Sequence, residues 1–144
     1  MTATQNYSNH VRWFPLFHFV ISPLLLAGLI YLIVRLVQEP SWDRAVWVGF
    51  AFVIILVSLS ARVQALKAQD RIIRLEETLR YRELLEPGLA RRAMNLEPKT
   101  LIPLRFASDE ELPDLVTQVL DGKIKTSKEI KAAVKNWRAD YLRV

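Results

Sequence analysis

The chain has 144 residues, of which 51% are hydrophobic and 24% charged, with a formal net charge of +5, two histidines and no cysteine. That inventory excludes disulfides, thiolate metal sites, cysteine nucleophiles and a Cys/His zinc centre. Only about eighty residues follow the second of its two apolar runs, so whatever folds there has a modest core and is expected to dock against something.

Residues 1–12 form a polar lead-in in which Asn6, Ser8 and Asn9 favour turns over helix. Residues 13–34 carry no formal charge, and neither do residues 45–61. A helix crossing roughly 30 Å of hydrocarbon needs about 20 mostly apolar residues, so the pair reads as a transmembrane hairpin with spans near 13–36 and 43–61. Trp13, Phe14 and Tyr31 flank the first span and Trp42 and Trp47 the second, the placement expected of aromatics at headgroup level. A cleaved signal peptide fits poorly, because the first run is too long and lacks a small-x-small site before Gln38. Pro15 suits a helix start, whereas Pro23 lies inside the span and predicts a kink or local unwinding over residues 19–23.

His18 is the only ionisable side chain inside either span. It is a candidate ligand for a haem or chlorophyll-type group, or a proton carrier. The simpler reading is an interfacial hydrogen-bonding residue, and no cofactor is expected. After the connection, with Ser41 as helix cap, no Pro or Gly occurs from residue 51 to 86. The second span should therefore continue as one helix to about Leu85, before Pro87-Gly88. Arg62, Lys67, Arg71 and Arg74 follow this span and Arg12 precedes the first, while the connection holds Arg35 and Arg44. The positive-inside rule then puts both termini in the cytoplasm, with the connection facing outward.

Within the extension, residues 62–86, Ala65, Ala68, Ile72, Leu75 and Leu79 repeat at three and four. The stripe covers only two heptads, so packing against the chain's own C-terminal helices is preferred over self-association. Asp70 with Arg74 and Glu76 with Arg80 are spaced as solvated i,i+4 pairs. The remaining residues, 87–144, are expected to form a small helical unit. In it, residues 87–98 make a loop with Arg91 and Arg92, residues 101–106 are extended, a helix starts near Ser108 and ends at Gly122, and Thr126 with Glu129 caps a last helix over about 127–141.

Along that last helix Lys128, Lys131, Lys135 and Arg138 share one face, and Ile130, Val134, Trp137 and Tyr141 another. Residues 123–144 hold seven basic and two acidic side chains, a surplus equal to the +5 of the whole chain. The plainest reading has the apolar side packed as core and the lysines solvated. The next puts Lys128, Lys131, Lys135, Arg138, Trp137 and Tyr141 against anionic headgroups or a protein partner. Nucleic acid ranks last, since no recognition motif or stacking pattern accompanies the charge. Glycine-rich phosphate loops are absent from the sequence, and acidic pairs such as Glu76-Glu77 and Glu110-Glu111 read as solubilising.

Several stretches together resemble an uncharacterised bacterial membrane-protein family, a domain of unknown function. They are residues 5–10 (Gln-Asn-Tyr-Ser-Asn-His) with Pro15 and His18-Phe19, Arg74-Leu75-Glu76 to Arg80-Tyr81-Arg82, Leu104 to Ser108 with Glu111-Leu112-Pro113, and Ile130-Lys131 to Asn136-Trp137. The resemblance implies two membrane helices and a cytoplasmic helical tail, and brings no activity with it. The expected architecture is an all-α membrane protein: a two-helix hairpin, a second helix extended into the cytoplasm, and a small helical C-terminal unit. The expected role is non-catalytic, as an interaction, scaffold or accessory subunit bound to the lipid bilayer and to a membrane-protein partner or its own copies. A homo-oligomeric channel or transporter component with His18 and Ser22 facing a pore is the alternative, and a cofactor-binding subunit of an electron-transfer or light-harvesting assembly the third.

Overall fold

A computed structural model describes residues 5–9 and 13–141. Arg12, used above for orientation, and His10 lie outside the described residues. Apart from one isolated antiparallel bridge between Ala107 and Trp137, the regular structure among the described residues is helical. The described residues divide into two units: residues 13–66, and residues 67–141 together with residues 5–9.

The first unit holds the apolar segments. A π-helical turn, Leu16–Ile21, leads into α1, Ser22–Gln38, and α2 begins at Trp42. The unwinding expected around Pro23 takes the form of that π turn. The Ser22 backbone N–H and Oγ both donate to the Phe17 carbonyl, Oγ at 2.8 Å, and the wider turn makes room for a proline ring that removes a backbone donor. The His18 Nδ1 lies 3.0 Å from the Phe14 carbonyl, and its ring packs edge-on against Trp13 and Phe17 at 4.9 and 5.3 Å. The imidazole is thus held by contacts within its own helical segment. In the connection Arg35 and Arg44 both pair with Glu39, and Ser41 Oγ accepts the Arg44 N–H at 3.3 Å. The Arg62 guanidinium lies 5.9 Å from the ring centroids of both Phe14 and Phe17.

α2 runs unbroken over Trp42–Leu84, as the absence of helix breakers requires. In the second unit its later turns are joined by α3, Pro87–Met94, α4, Pro98–Leu104, α5, Leu112–Leu120, and α6, Ser127–Ala133. Three of these four helices start on a proline at the first or second position, where the missing N–H has no intrahelical partner to lose. That explains two corrections. The loop expected after Pro87 is α3, and the extended segment expected over residues 101–106 is mostly α4, because Pro87 and Pro98 act as helix starters. The core is built from Tyr81, Leu101, Leu104, Leu112, Val116 and Ile130. Gly122 adopts φ +72°, the left-handed stop expected of it, and Thr126 and Glu129 form the reciprocal capping box. The two backbone N–H groups of Lys125 and Thr126 on the Glu129 carboxylate hold its pKa below the usual range.

A further correction concerns the last helix. It ends at Ala133, where Val134 turns extended (ψ 121°), instead of reaching Tyr141. The N–H groups released by stopping early are taken up elsewhere, those of Lys135 and Asn136 by the Glu111 carboxylate at 3.1 and 3.2 Å. Tertiary acceptors therefore outweigh a local sequence that carries no helix breaker.

Candidate functional site

In the second unit the inward face of α2 presents Ile73, Glu77, Arg80 and Tyr81. These positions recur at three and four, like the stripe named from sequence, but on a different side of the helix. Ala65, Ala68, Ile72, Leu75 and Leu79 are exposed. The preferred expectation, that this stripe packs on the chain's own C-terminal helices, is corrected: the C-terminal helices take the face that mixes charge with apolar groups.

Glu77 is only 2% exposed, so its charge needs partners. Arg80 Nη1 donates to one of its oxygens at 3.2 Å and Arg138 Nη1 to the other at 3.0 Å. Arg80 also donates through Nε and Nη2 to Asp109 Oδ1 at 2.8 and 2.6 Å, and through Nη2 to the Ala107 carbonyl at 2.7 Å. One guanidinium thus links α2 to the segment between α4 and α5. The i,i+4 pairing expected of Arg80 with Glu76 gives way to Glu77 and Asp109, and Glu77, read as solubilising, is buried.

The segment after α6 lies beside that junction. Ser108 N–H donates to Asn136 O at 3.1 Å and Arg138 N–H to Phe106 O at 2.8 Å, and the Phe106 and Trp137 rings stack with centroids 4.7 Å apart. Arg105 covers the Phe106 ring at 4.3 Å and donates to Asp140 Oδ2 at 3.0 Å. Glu111 accepts from Ser108 N–H as well as from Lys135 and Asn136. These contacts form a clasp that fastens residues 134–140 over the end of α4 and the face of α2.

The basic residues singled out from sequence therefore part company. Arg138 is held by Glu77, Trp137 is stacked on Phe106, and Lys131 lies 5.9 Å from the Phe106 centroid. Lys128, Lys135 and Tyr141 remain exposed. Because α6 stops at Ala133, Lys128, Lys131, Lys135 and Arg138 do not share one helical face. Ile130 and Val134 are buried, as the core reading of the apolar side expects. Nothing in the order of residues marks Glu77, Arg80, Asp109 and Glu111 as a set, since their partners lie up to 61 positions apart.

Two open hollows flank the clasp. One of about 750 Å³ is bordered by Gln5, Asn6, Ser108, Asp109 and Lys135, and one of about 520 Å³ by Glu76, Arg105, Arg138 and Tyr141. Among the described residues no group of three or more His, Cys, Asp and Glu side chains is placed to hold a metal ion.

Arg80, Arg105, Phe106, Ser108, Glu111 and Trp137 all fall in the stretches that carry the resemblance noted above. A family model described as a family of unknown function, DUF6526, matches residues 1–144. The chain belongs to that family. No curated protein and no solved structure matches it. In this DUF6526 chain the motif residues hold the second unit together.

The Tyr81 hydroxyl is buried in the core without a hydrogen-bond partner among the described residues. Burial, reinforced by nearby Glu77 and opposed by Arg80, raises its pKa far above the ordinary phenol value. The unfolded phenol ionises near pH 10 while the folded one keeps its proton, so the folded state binds more protons. Its contribution is intact below pH 10 and is lost as the pH rises beyond it. A Tyr81→Phe variant should match or exceed the parent stability near pH 7, by up to about 1 kcal/mol, because it removes an unsatisfied buried hydroxyl. It should also lose less stability in alkali. Thermal unfolding followed at pH 8 and 11 checks both, and an equal alkaline loss in the two proteins would rule the explanation out.

Proposed function

We propose that this DUF6526 chain is a two-span protein of a bacterial inner membrane, arranged as a hairpin with both termini in the cytoplasm. It acts there without catalysis, as an interaction, scaffold or accessory subunit of a membrane complex. The observation that carries the reading is that the helices over Leu16–Gln38 and Trp42–Leu84 are long and apolar enough to cross a bilayer while none of their most apolar stretch is buried. A core helix of a soluble protein would be covered by its own chain. Transferring this much bare aliphatic and aromatic surface out of water is the dominant driving force available to the molecule.

Orientation is supported by Arg62, Lys67, Arg71 and Arg74 following the second span. On the second unit, exposed Lys128 and Lys135 with Tyr141 suit contact with anionic headgroups or an acidic partner. A binding role suits a site whose buried charges, Glu77, Arg80 and Arg105, are consumed in holding the fold.

Fractionation tests the location first: the full chain should stay with membranes through alkaline carbonate and be released by detergent. Affinity purification from native membranes then tests the role. Recovery of a stoichiometric protein partner, or of the chain's own oligomer, supports it. A protein recovered in the supernatant without detergent would sink the membrane reading, and a ring-shaped oligomer whose conductance depends on His18 would replace the accessory role with a channel.

A further inference from the structure

We infer that the charged part of α2 is the seam of a parallel homodimer, in which Ala68, Ile72, Leu75 and Leu79 pack against the same residues of a second copy. This rests on the membrane reading above and names the partner of the surface it invokes. Ile72, Leu75 and Leu79 are 57%, 62% and 51% exposed, although each is a large aliphatic side chain on a helix that buries Ile73, Glu77, Arg80 and Tyr81 on another side. Taken as a heptad, Ala65, Ile72 and Leu79 are a positions and Ala68 and Leu75 are d positions. β-branched Ile at a with Leu at d favours two strands.

The residues that α2 uses within its own chain occupy the remaining positions of the repeat. Ile73 and Arg80 fall at b, Tyr81 at c and Glu77 at f, which are the outer positions of a two-stranded coil. The intrachain core and the seam are therefore compatible, each taking its own side of the helix. That division is hard to account for if the apolar stripe served no partner.

Charge points to the second copy and to its direction. Arg71 is at g and Glu76 is at e, five residues later, the spacing at which g of one strand meets e of a parallel neighbour. The two-fold axis makes the Arg71–Glu76 pair twice. Copies inserted in the same sense bring their α2 helices out of the bilayer side by side and parallel, the arrangement that this pairing needs. Towards the membrane the repeat continues through small residues, Ala65 and Ala61, which allow close backbone approach. Arg82 at the next d position ends it, two residues before the end of the helix at Leu84. The seam is short for a free coiled coil, and confinement of both copies to one bilayer supplies the effective concentration that length does not.

The chain has no cysteine, so a single introduced thiol reports alone. In the full-length protein in native membranes under mild oxidant, Ile72→Cys and Leu75→Cys should give disulfide-linked dimers at least about tenfold more readily than Asp70→Cys and Arg74→Cys, which fall at f and c. Arg71→Glu should weaken dimerisation in detergent about tenfold, and adding Glu76→Arg should restore it. Equal cross-linking at all four positions, or none, overturns the seam. A monomer that stays in the membrane and carries a different protein overturns the second copy while leaving the accessory reading in place. Recovery of the chain in the soluble fraction removes both.

Discussion

Replacing Arg80 with methionine lowers the unfolding free energy of the second unit by about 3–5 kcal/mol, the range expected when one partner of a buried ion pair is lost. Methionine keeps most of the volume, so the effect isolates the charge. Without the guanidinium, buried Glu77 keeps only Arg138, whose side chain is 52% exposed, and the Ala107 carbonyl loses its donor. Asp109, already 64% exposed, returns to water at little cost. Hydrogen exchange of the α4 and α5 amides in detergent measures the change. Glu76→Ala, on an exposed position of the same helix, should stay within about 0.5 kcal/mol of the parent. The double change Glu77→Leu with Arg80→Met removes both buried charges and should recover a large part of the loss, since apolar groups replace a desolvated pair well. If Arg80→Met alone changes stability by under about 1 kcal/mol, the guanidinium is not the junction described.

Phe106→Ala is expected to cost a similar amount, about 3–5 kcal/mol, for loss of a fully buried aromatic side chain. The stack with Trp137 and the cover by Arg105 go with it. The effect should be local at first. Trp137 becomes more exposed, residues 134–140 exchange faster, and α2 keeps its helicity because its own hydrogen bonds are untouched. Phe106→Leu keeps most of the buried area and should cost no more than about 1.5 kcal/mol. Tryptophan emission and far-ultraviolet circular dichroism together separate the outcomes. A uniform loss of helix in Phe106→Ala would show that the clasp and α2 are one cooperative element instead of two.

What could be read in advance was whatever depends on near neighbours in sequence. Charge-free runs marked two long apolar helices, the absence of Pro and Gly marked the continuity of α2, and Gly122, Ser41 and the Thr126–Glu129 box marked ends that need only local geometry. From sequence Pro87 reads as a helix stop and Pro98 as part of a loop, whereas both are first-turn residues, an ambiguity that the proline alone does not resolve. The stripe on α2 was identified as a stripe, but its partner was misassigned, because periodicity says which residues share a face and not what covers that face. The clasp was invisible for a firmer reason. Glu77 in a run of charged residues looks solvated, and only the arrival of Arg138 and of the Ala107 carbonyl beside Arg80 makes its burial tolerable. Glu111 similarly accepts from residues 24 and 25 positions away.

The clasp also sets an order of events during synthesis. Residues 134–140 leave the ribosome after every group that they fasten, so a nascent chain stalled at residue 133 already holds both apolar helices while Glu77 lacks Arg138 and Glu111 lacks two of its three donors. Residues 134–140 therefore complete the second unit, and products interrupted before them leave two carboxylates of its core short of donors.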